Sequence, residues 1–263
     1  MLHNQNKRIS ILDKFSLKDK SAIVVGGAGD LGRAMVEAVS DAGAHVVVID
    51  VDQRLREICT SLSTGGHHVH PVLADISDRE QIRSSFSTAL GLLNNRVDIL
   101  INAAGIQRRY PSEDFPEKDW DDVIKINLDA TFFFSQLALK EMIRAGHGKI
   151  INIASMISFF GGITIPAYAA SKGGVAQLTK AFSNDCASKG VCVNAIAPGY
   201  MDTQLNVALI ADPVRTNEVM NRIPKKRWGL GSDIKGITVF LASEASDYVT
   251  GAVIPVDGGY LVR

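Results

Sequence analysis

Short apolar runs rich in β-branched residues recur along the whole chain, and segments with helical spacing lie between them. The runs are Ala22–Val25, Val46–Ile49, Val69–Leu73, Ile99–Ile101, Ile150–Ile153, Val191–Ile196 and Val253–Val256. Their near-continuous apolar character is typical of parallel strands that are covered on both faces. Because such strands alternate with helices, the sequence predicts a doubly wound α/β fold.

The expected architecture is one Rossmann-type parallel β-sheet with helices on both faces. The predicted helices are Leu31–Ala42, Arg79–Leu92, Trp120–Ile143, Ala169–Ala187 and Asp233–Leu241. Since no Pro- or Ser-rich linker divides the chain, we expect a polar lead-in over residues 1–16 and a single domain over 17–263. Residues 199–227 contain no predicted strand, and so long an irregular connection is typical of a substrate lid.

Charge and cysteine content narrow the range of functions. Lys plus Arg and Asp plus Glu number 28 each, so no global field attracts nucleic acid or an anionic membrane. Three cysteines without C-x-x-C spacing favour a reducing compartment, and no apolar stretch reaches the length of a signal sequence or membrane span. We therefore expect a cytoplasmic protein. His67, His68 and His70 lack helical pairing, and no metal site is expected.

A glycine-rich turn follows the first apolar run and precedes a predicted helix. Gly27, Gly29 and Gly32 match G-x-G-x-x-G, in which glycines let the backbone approach a pyrophosphate at a helix N-terminus. Asp50 ends the second run, where an acidic residue is expected to bind the adenosine ribose and to repel a 2′-phosphate. This spacing favours NAD over NADP; the alternative is that Asp50 only caps the following helix.

Tyr168 and Lys172 lie four residues apart in a predicted helix and therefore share one face. A free phenol has a pKa of about 10, and a neighbouring cation lowers it. Bringing the pKa to neutrality requires roughly 4 kcal/mol, at about 1.4 kcal/mol per unit. We expect Lys172, together with a positively charged nicotinamide, to supply this stabilisation.

Two further polar residues fall near the predicted site. Ser155 follows the fifth run, at the end where such sheets bind ligands, although a loop serine also serves as a helix cap. Asn127 shares helical phase with Trp120 and Ile124 and should face the interior. A buried amide needs hydrogen-bond partners, which are either the backbone or a water molecule in a proton relay.

These motifs together resemble those of the short-chain dehydrogenase/reductase family from Leu17 to Arg263. The resemblance rests on the glycine turn, Ala74-Asp75-Ile76, Asn102-Ala103-Ala104-Gly105, Asn127, Ser155, Tyr168, Lys172, Pro198-Gly199 with Thr203, Val249-Thr250-Gly251 and Val256-Asp257-Gly258-Gly259. It implies that Tyr168 is the general acid/base and that Lys172 tunes it and holds the nicotinamide ribose. It also implies that Ser155 hydrogen-bonds the reacting oxygen and that Asn127 anchors a relay water.

The same resemblance implies how the dinucleotide is held. Asp75 and Ile76 meet the adenine, Asn102 and Gly105 line the cofactor cleft, and Thr203 holds the carboxamide end. The complete set of expected cofactor residues is Gly26, Gly29, Leu31, Gly32, Asp50, Asp75, Ile76, Asn102, Ala103, Gly105, Lys172, Pro198, Gly199 and Thr203. The family resemblance further implies a homotetramer.

The glycine turn departs from the family pattern Thr-Gly-x-x-x-Gly-x-Gly at two positions. Val25 replaces the threonine, and Asp30 replaces the middle glycine. Asp30 puts a carboxylate and a Cβ atom where the pyrophosphate comes close. The turn must therefore differ locally or the side chain must point to solvent, and we expect NAD to bind, but more weakly.

Several segments resemble the branch of the family that acts on sugar acids. They are Gly105-Ile106-Gln107-Arg108-Arg109, Lys118–Val123, Ile153-Ala154-Ser155-Met156 with Gly161-Gly162, and Arg227-Trp228-Gly229. Arg108 and Arg109 follow the fourth strand, and a guanidinium is suited to a substrate carboxylate. The alternative is a solvated pair that faces water or a subunit neighbour.

Three hypotheses for function follow. The first is an NAD-dependent dehydrogenase that interconverts an alcohol and a ketone on a small-molecule sugar acid. The second is a reductase of another carbonyl compound, such as a 3-oxoacyl thioester or a polyol; such thioester reductases usually prefer NADPH, and Asp50 argues against them. The third is a non-catalytic dinucleotide-binding protein, which would not need Asn127, Ser155, Tyr168 and Lys172 together.

Overall fold

A seven-stranded parallel sheet forms the centre of the computed structural model, which describes residues 10–63 and 68–263. The strands are β1 Ser21–Val25, β2 His45–Asp50, β3 Val69–Leu73, β4 Ile99–Asn102, β5 Gly148–Ile153, β6 Val191–Pro198 and β7 Val253–Val256. Their order is β3-β2-β1-β4-β5-β6-β7, and every neighbouring pair is parallel. All seven predicted runs form strands, so the predicted fold class is confirmed.

Helices cover both faces of this sheet. They are α1 Asp30–Asp41, α2 Leu55–Leu62, α3 Arg79–Leu92, α4 Glu117–Ile124, α5 Ala130–Ala145, α6 Pro166–Cys186, α7 Val207–Ile210, α8 Pro213–Arg222 and α9 Gly231–Ala242. Alternate residues of β1 enter different cores: Val24 packs with α1 and α9, whereas Ile23 packs with α3 and α5. Burial on both faces explains why the strand sequences are apolar throughout.

Three predictions about helices need correction. The helix predicted over Trp120–Ile143 is interrupted by a π-helical turn at Lys125–Asp129. Helix α2 was not predicted, because its eight residues bury only Leu55, Cys59 and Leu62. The lid segment, predicted to be irregular, contains α7 and α8; Asp212 caps α8 by accepting hydrogen bonds from the backbone N–H groups of Val214 (3.0 Å) and Arg215 (3.2 Å).

The end of the predicted lead-in packs on the domain. Residues Leu12–Phe15 form a short 3₁₀ helix, and the ring of Phe15 lies 6.2 Å from that of Phe240 in α9. Residues 1–9 of the lead-in and His67 lie outside the described residues. Over the described ranges, no helix combines the length and apolar character that crossing a lipid bilayer requires.

The topology places the candidate site at one edge of the sheet. Strand β1 lies between β2 and β4, so the chain order changes direction at the carboxyl ends of β1 and β4. In doubly wound sheets the ligand crevice lies outside the strand ends at such a switch point. The predicted site residues lie at or after the carboxyl ends of strands, or in helices beside them.

Candidate active site

The glycine turn after β1 leaves no room for side chains at two positions. Gly26 has a φ of +81°, and a Cβ atom there would lie 2.4 Å from the backbone nitrogen of Ala104. A Cβ atom on Gly32 would lie 2.0 Å from the carbonyl oxygen of Gly26. Both distances are below any allowed contact, so only glycine permits the turn to pack against the end of β4 and the start of α1.

Gly29 differs from these two glycines, because it borders open space. It precedes α1 with a φ of −72°, and a Cβ atom would meet only the carbonyl oxygen of Gly26, at 3.7 Å. Within the described chain, no side chain caps the N-terminus of α1. Its first backbone amides therefore fit an anion such as a pyrophosphate, which agrees with the cofactor role expected for this turn.

Asp50 joins the end of β2 to the glycine turn. One carboxylate oxygen accepts the Ala28 N–H at 2.9 Å, and the other accepts the N–H groups of Val51 (2.7 Å) and Asp52 (3.1 Å). In the described part of the chain, α2 has no side-chain cap, so the alternative role of Asp50 as its cap is wrong. The carboxylate is instead held beside the predicted adenosine pocket.

The remaining predicted cofactor residues lie along the same edge. Asp75 and Ile76 follow β3, and the Asp75 carboxylate accepts the Ser77 N–H at 2.9 Å. The Asn102 side chain is buried instead and donates to Ser135 Oγ (3.1 Å) and to Asn152 Oδ1 (2.9 Å). Only the main chain of Asn102 is thus left to line the cleft. Ala103, Pro198 and Gly199 occupy the adjoining strand ends and turns, and Leu31 is the second residue of α1.

Lys172 is buried beside the backbone that leaves β4. Its side chain is 3% exposed in α6, and its Nζ donates to the carbonyl oxygen of Ile153 at 2.6 Å. A Cβ atom on Gly105 would lie 3.4 Å from this Nζ and 3.5 Å from Asn127 Oδ1. Burial lowers the pKa of Lys172 to about 8, because an ammonium ion loses solvation in the interior.

Asn127 lies in the π-helical turn and is fully buried. Its Oδ1 accepts the Ile106 N–H at 2.8 Å, and its Nδ2 donates to the Ile106 carbonyl (3.0 Å) and to Ser171 Oγ (3.1 Å). Protein groups therefore satisfy the hydrogen bonds of the side chain, which agrees with the first of the two sequence-based interpretations. A relay water would have to use the main-chain carbonyl, which already accepts a hydrogen bond from Thr131 Oγ1 at 2.9 Å and retains a second lone pair.

Ser155 caps a short helix and also reaches Tyr168. Its Oγ accepts the Ile157 N–H at 3.2 Å, and its own N–H donates to Ser158 Oγ at 3.3 Å. Ser158 Oγ in turn donates to the Lys172 carbonyl at 2.7 Å, which fixes this turn against α6. Hydrogen bonding with Ser155 also lowers the pKa of the Tyr168 phenol.

The electrostatics of Tyr168 differ from the sequence-based expectation. Burial raises the pKa of Tyr168, and the hydrogen bond with Ser155 and the charge of Arg109 oppose this rise only partly. The Lys172 ammonium lies 5.8 Å from the centre of the tyrosine ring and is bonded to the Ile153 carbonyl. In the chain without a dinucleotide, desolvation therefore dominates and keeps the phenol protonated at neutral pH; the expected lowering of its pKa includes the charge of a bound nicotinamide and stays a prediction.

The structure distinguishes the two arginines that follow β4. Arg108 pairs with Asp119 at 3.4 Å, whereas Arg109 donates to Gln107 Oε1 at 3.2 Å and pairs with no carboxylate of the described residues. The charge of Arg109 acts on the hydroxyl groups of Tyr168 and Tyr200. Arg109 is exposed, and its charge lowers the pKa of both phenols, whereas for Arg108 the alternative of a surface ion pair describes its geometry.

An aromatic wall that the sequence analysis missed borders the lid. The rings of Tyr200 and Tyr260 lie 5.2 Å apart, that of Trp228 lies 5.5 Å from Tyr200, and the Arg222 guanidinium lies 4.2 Å from the Tyr260 ring. Burial raises the pKa of Tyr200, and its hydrogen bond with Tyr260 acts in the same direction. The positions of Tyr200 after Pro198-Gly199 and of Tyr260 after Gly258-Gly259 were the available sequence signals.

The lid begins at Gly199, where the backbone passes close to the end of β7. A Cβ atom on Gly199 would lie 2.6 Å from the Asp257 Cα. Thr203 precedes a 3₁₀ helix over Gln204–Asn206. The Gln204 N–H donates to Asp30 Oδ2 at 2.7 Å, so the Asp30 side chain crosses from the glycine turn to the lid.

Known proteins share both the sequence and the fold. The model of the short chain dehydrogenase family matches residues 20–213. A 2-dehydro-3-deoxy-D-gluconate 5-dehydrogenase from Bacillus subtilis is 46% identical over 95% of this chain and 98% of its own length. The enzyme of the same name from Escherichia coli is 45% identical over 96% of this chain and its entire own length (100%).

Two solved structures cover almost the whole chain. A putative 2-deoxy-D-gluconate 3-dehydrogenase from Agrobacterium tumefaciens with bound NADP is 44% identical, with a TM-score of 0.89 over 95% of this chain and 100% of that one. A gluconate 5-dehydrogenase from Burkholderia cenocepacia in complex with NADP and tartrate is 36% identical, with a TM-score of 0.92 over 97% of this chain and 100% of that one.

Proposed function

Because the chain belongs to the short-chain dehydrogenase/reductase family, we propose that it interconverts a secondary alcohol and a ketone on a sugar acid, such as 2-dehydro-3-deoxy-D-gluconate or a related gluconate. Relatives with names of this kind match nearly the full length of the chain. The observation that carries the substrate class is that Arg109, an exposed guanidinium in the segment after β4, has no carboxylate partner among the described residues, and its charge lowers the pKa of Tyr168.

The proposed chemistry divides the work among four side chains. A bound nicotinamide supplies or accepts the hydride. In reduction, the protonated phenol of Tyr168 donates its proton to the ketone oxygen, while Ser155 hydrogen-bonds the same oxygen. The Lys172 ammonium favours the phenolate that remains, and Arg109 binds the substrate carboxylate.

Asn127 acts in this scheme through the groups that it holds. Its side chain connects Ile106, after β4, with Ser171 in α6, and so fixes the distance between the cleft backbone and the helix that carries Tyr168 and Lys172. We propose that any relay water is bound by its main-chain carbonyl. The π-helical turn supports this role, because such turns free carbonyl groups from regular helical bonding and are common at functional sites.

We propose NAD as the preferred dinucleotide, on the geometry of Asp50. Its carboxylate is held by the N–H groups of Ala28 in the glycine turn and of Val51 and Asp52 after β2, and its negative charge repels a 2′-phosphate. Arg33, just after the glycine turn, is engaged with Glu37 at 3.5 Å. Because the two solved relatives bind NADP, the preference for NAD needs a direct test. Calorimetry should give a lower Kd for NADH than for NADPH, and equal affinities would contradict the proposed preference.

The two arginines provide a matched test of the substrate class. Arg109→Ala should raise KM for the sugar acid by about 10- to 100-fold, because a charge-assisted hydrogen bond is worth roughly 1.5–3 kcal/mol. Arg108→Ala, which removes the ion pair with Asp119 and a bond to the Gln107 carbonyl, should leave KM nearly unchanged. Before these KM measurements, the substrate is identified by monitoring NADH absorbance with a panel of sugar acids, 3-oxoacyl thioesters and polyols. Equal KM values for both variants would refute the proposed role of Arg109.

We also propose a homotetrameric cytoplasmic enzyme. An apolar groove on the outer face of α5 and α6 is lined by Leu128, Phe132, Phe133, Leu178 and Ala181, and a second copy of the chain could cover it. Light scattering should give a particle of four times the chain mass. Replacing Phe132 by a charged residue should lower the measured mass. The free cysteines fit a reducing compartment.

A further inference from the structure

The carboxylate of Asp30 links two distant parts of the chain. Asp30 is the first residue of α1 and occupies the position at which the family pattern has glycine. Its Oδ2 accepts the Gln204 N–H at 2.7 Å, across 174 residues of sequence. A glycine at this position has no side chain and cannot form the bond.

This bond supplies a cap that the lid lacks locally. Gln204 begins the 3₁₀ helix Gln204–Asn206, and the Thr203 side chain forms no cap bond with it within the described chain. The preceding residues are held from the other side, because Met201 pairs with Gly229 and the Asp202 N–H donates to the Gly229 carbonyl at 2.8 Å. The start of the lid is therefore fixed between Gly229 and Asp30.

We propose that Asp30 is a positioning residue that fastens the start of the lid to the glycine turn and so holds Thr203 at the substrate end of the cleft. A hydrogen bond to a carboxylate is stronger than one between neutral groups. The same negative charge faces the N-terminus of α1, where a pyrophosphate would bind, and it therefore weakens dinucleotide binding. Asp30 thus favours lid order at the expense of cofactor affinity. The effect on substrate rests on the proposed function, whereas the effect on the lid does not.

A purely local role for Asp30 makes a different prediction. A carboxylate in the first turn of a helix also stabilises that helix through its dipole. If this were its only role, Asp30→Asn and Asp30→Gly would behave alike, because both lose the charge. Asn retains an acceptor oxygen at the position of the bond, whereas Gly retains none, so the pair separates the two roles.

Hydrogen exchange of the Gln204 amide tests the link directly. In Asp30→Gly we expect exchange in the peptide that contains residues 203–206 to be roughly tenfold faster than in the unmodified chain, because an accepting carboxylate is lost. In Asp30→Asn we expect a much smaller change. Glu37→Gln, which removes a charge elsewhere on α1, is the matched control and should leave this exchange unchanged. Equal exchange in all four proteins would overturn the proposal.

Kinetics supply the second readout. We expect Asp30→Asn and Asp30→Gly both to bind NADH more tightly, but only Asp30→Gly to raise KM for the sugar acid. Gln204→Pro removes the same bond from the lid side, since proline lacks the N–H and is tolerated at the first position of a helical turn. It should reproduce the KM effect without the gain in NADH affinity, because the Asp30 charge remains. Unchanged KM in both variants would refute the positioning role. If no sugar acid is turned over, the exchange experiment still decides on the lid link.

Discussion

The two halves of the site edge are held together in different ways. The dinucleotide half, at the ends of β1, β2 and β4, is fixed by main-chain contacts so close that Gly26 and Gly32 tolerate no Cβ atom. The lid segment, which is the proposed substrate half, consists of the 3₁₀ helix Gln204–Asn206, α7 and α8, and it carries exposed apolar residues such as Leu205, Val207 and Val214. The rigid dinucleotide half suits a ligand that is always the same, the dinucleotide. The side chains of the substrate half can change without disturbing the sheet.

Tyr168, the proposed catalytic group, should show the largest effect. Tyr168→Phe removes the proton donor, and general acid–base catalysis contributes about 100- to 10,000-fold, so we expect kcat to fall by about 1,000-fold. NADH affinity should remain unchanged, because the ring is retained. Stopped-flow absorbance measures the rate and calorimetry the affinity. A variant with a tenth of the original activity or more would exclude Tyr168 as the general acid.

The dinucleotide half can be tested at its open glycine. Gly29→Ala places a methyl group where only the Gly26 carbonyl lies within contact, so folding should be nearly unaffected. The methyl group would displace a pyrophosphate from the first amides of α1, and we expect NADH affinity to fall by about 10- to 100-fold through lost charge-assisted hydrogen bonds. Gly91→Ala, in α3 with open space around it, is the matched control. Equal affinities would show that the pyrophosphate lies elsewhere.

Sequence patterns predicted the dinucleotide half better than the substrate half. The strands were recognisable because burial on both faces makes them apolar throughout, and the motifs that follow them necessarily meet at one edge. Helix α2 was missed because it buries only three residues. The π-helical turn depends on bonds from Asn127 to Ile106 and Ser171, which have no local sequence signal.

Long-range contacts account for the features of the site that the sequence could not supply. The distinction between Arg108 and Arg109 depends on Asp119, which the fold brings to Arg108. The raised pKa of Tyr168 follows from burial, which the spacing of Tyr168 and Lys172 does not reveal. The bond from Asp30 to Gln204 joins residues that are 174 positions apart. Each of these three features depends on packing between secondary-structure elements and not on the conformational propensity of residues within a single element.

The pH dependence of reduction should report the buried lysine. Because burial lowers the pKa of Lys172 to about 8, its ammonium loses its charge as the pH rises through this value. The phenol of Tyr168 stays protonated in this range, since its pKa is raised. We therefore expect kcat/KM for ketone reduction to be constant below pH 8 and to fall above it, by at most about tenfold per pH unit. Lys172→Arg keeps its charge and should lose this alkaline decline, and a wild-type profile that is flat to pH 10 would contradict the assignment.

The smallest effect is expected for the lid surface. Val214 is 68% exposed, so Val214→Ser should change the free energy of unfolding by no more than about 0.5 kcal/mol and leave NADH affinity unchanged. Val48 in β2 is fully buried, and Val48→Ala should cost about 2 kcal/mol because it leaves a cavity. Urea titrations of the two variants measure the difference. A comparable loss in both would mean that the lid unfolds together with the sheet, and the contrast between the two halves would then be one of ligand contact and not of stability.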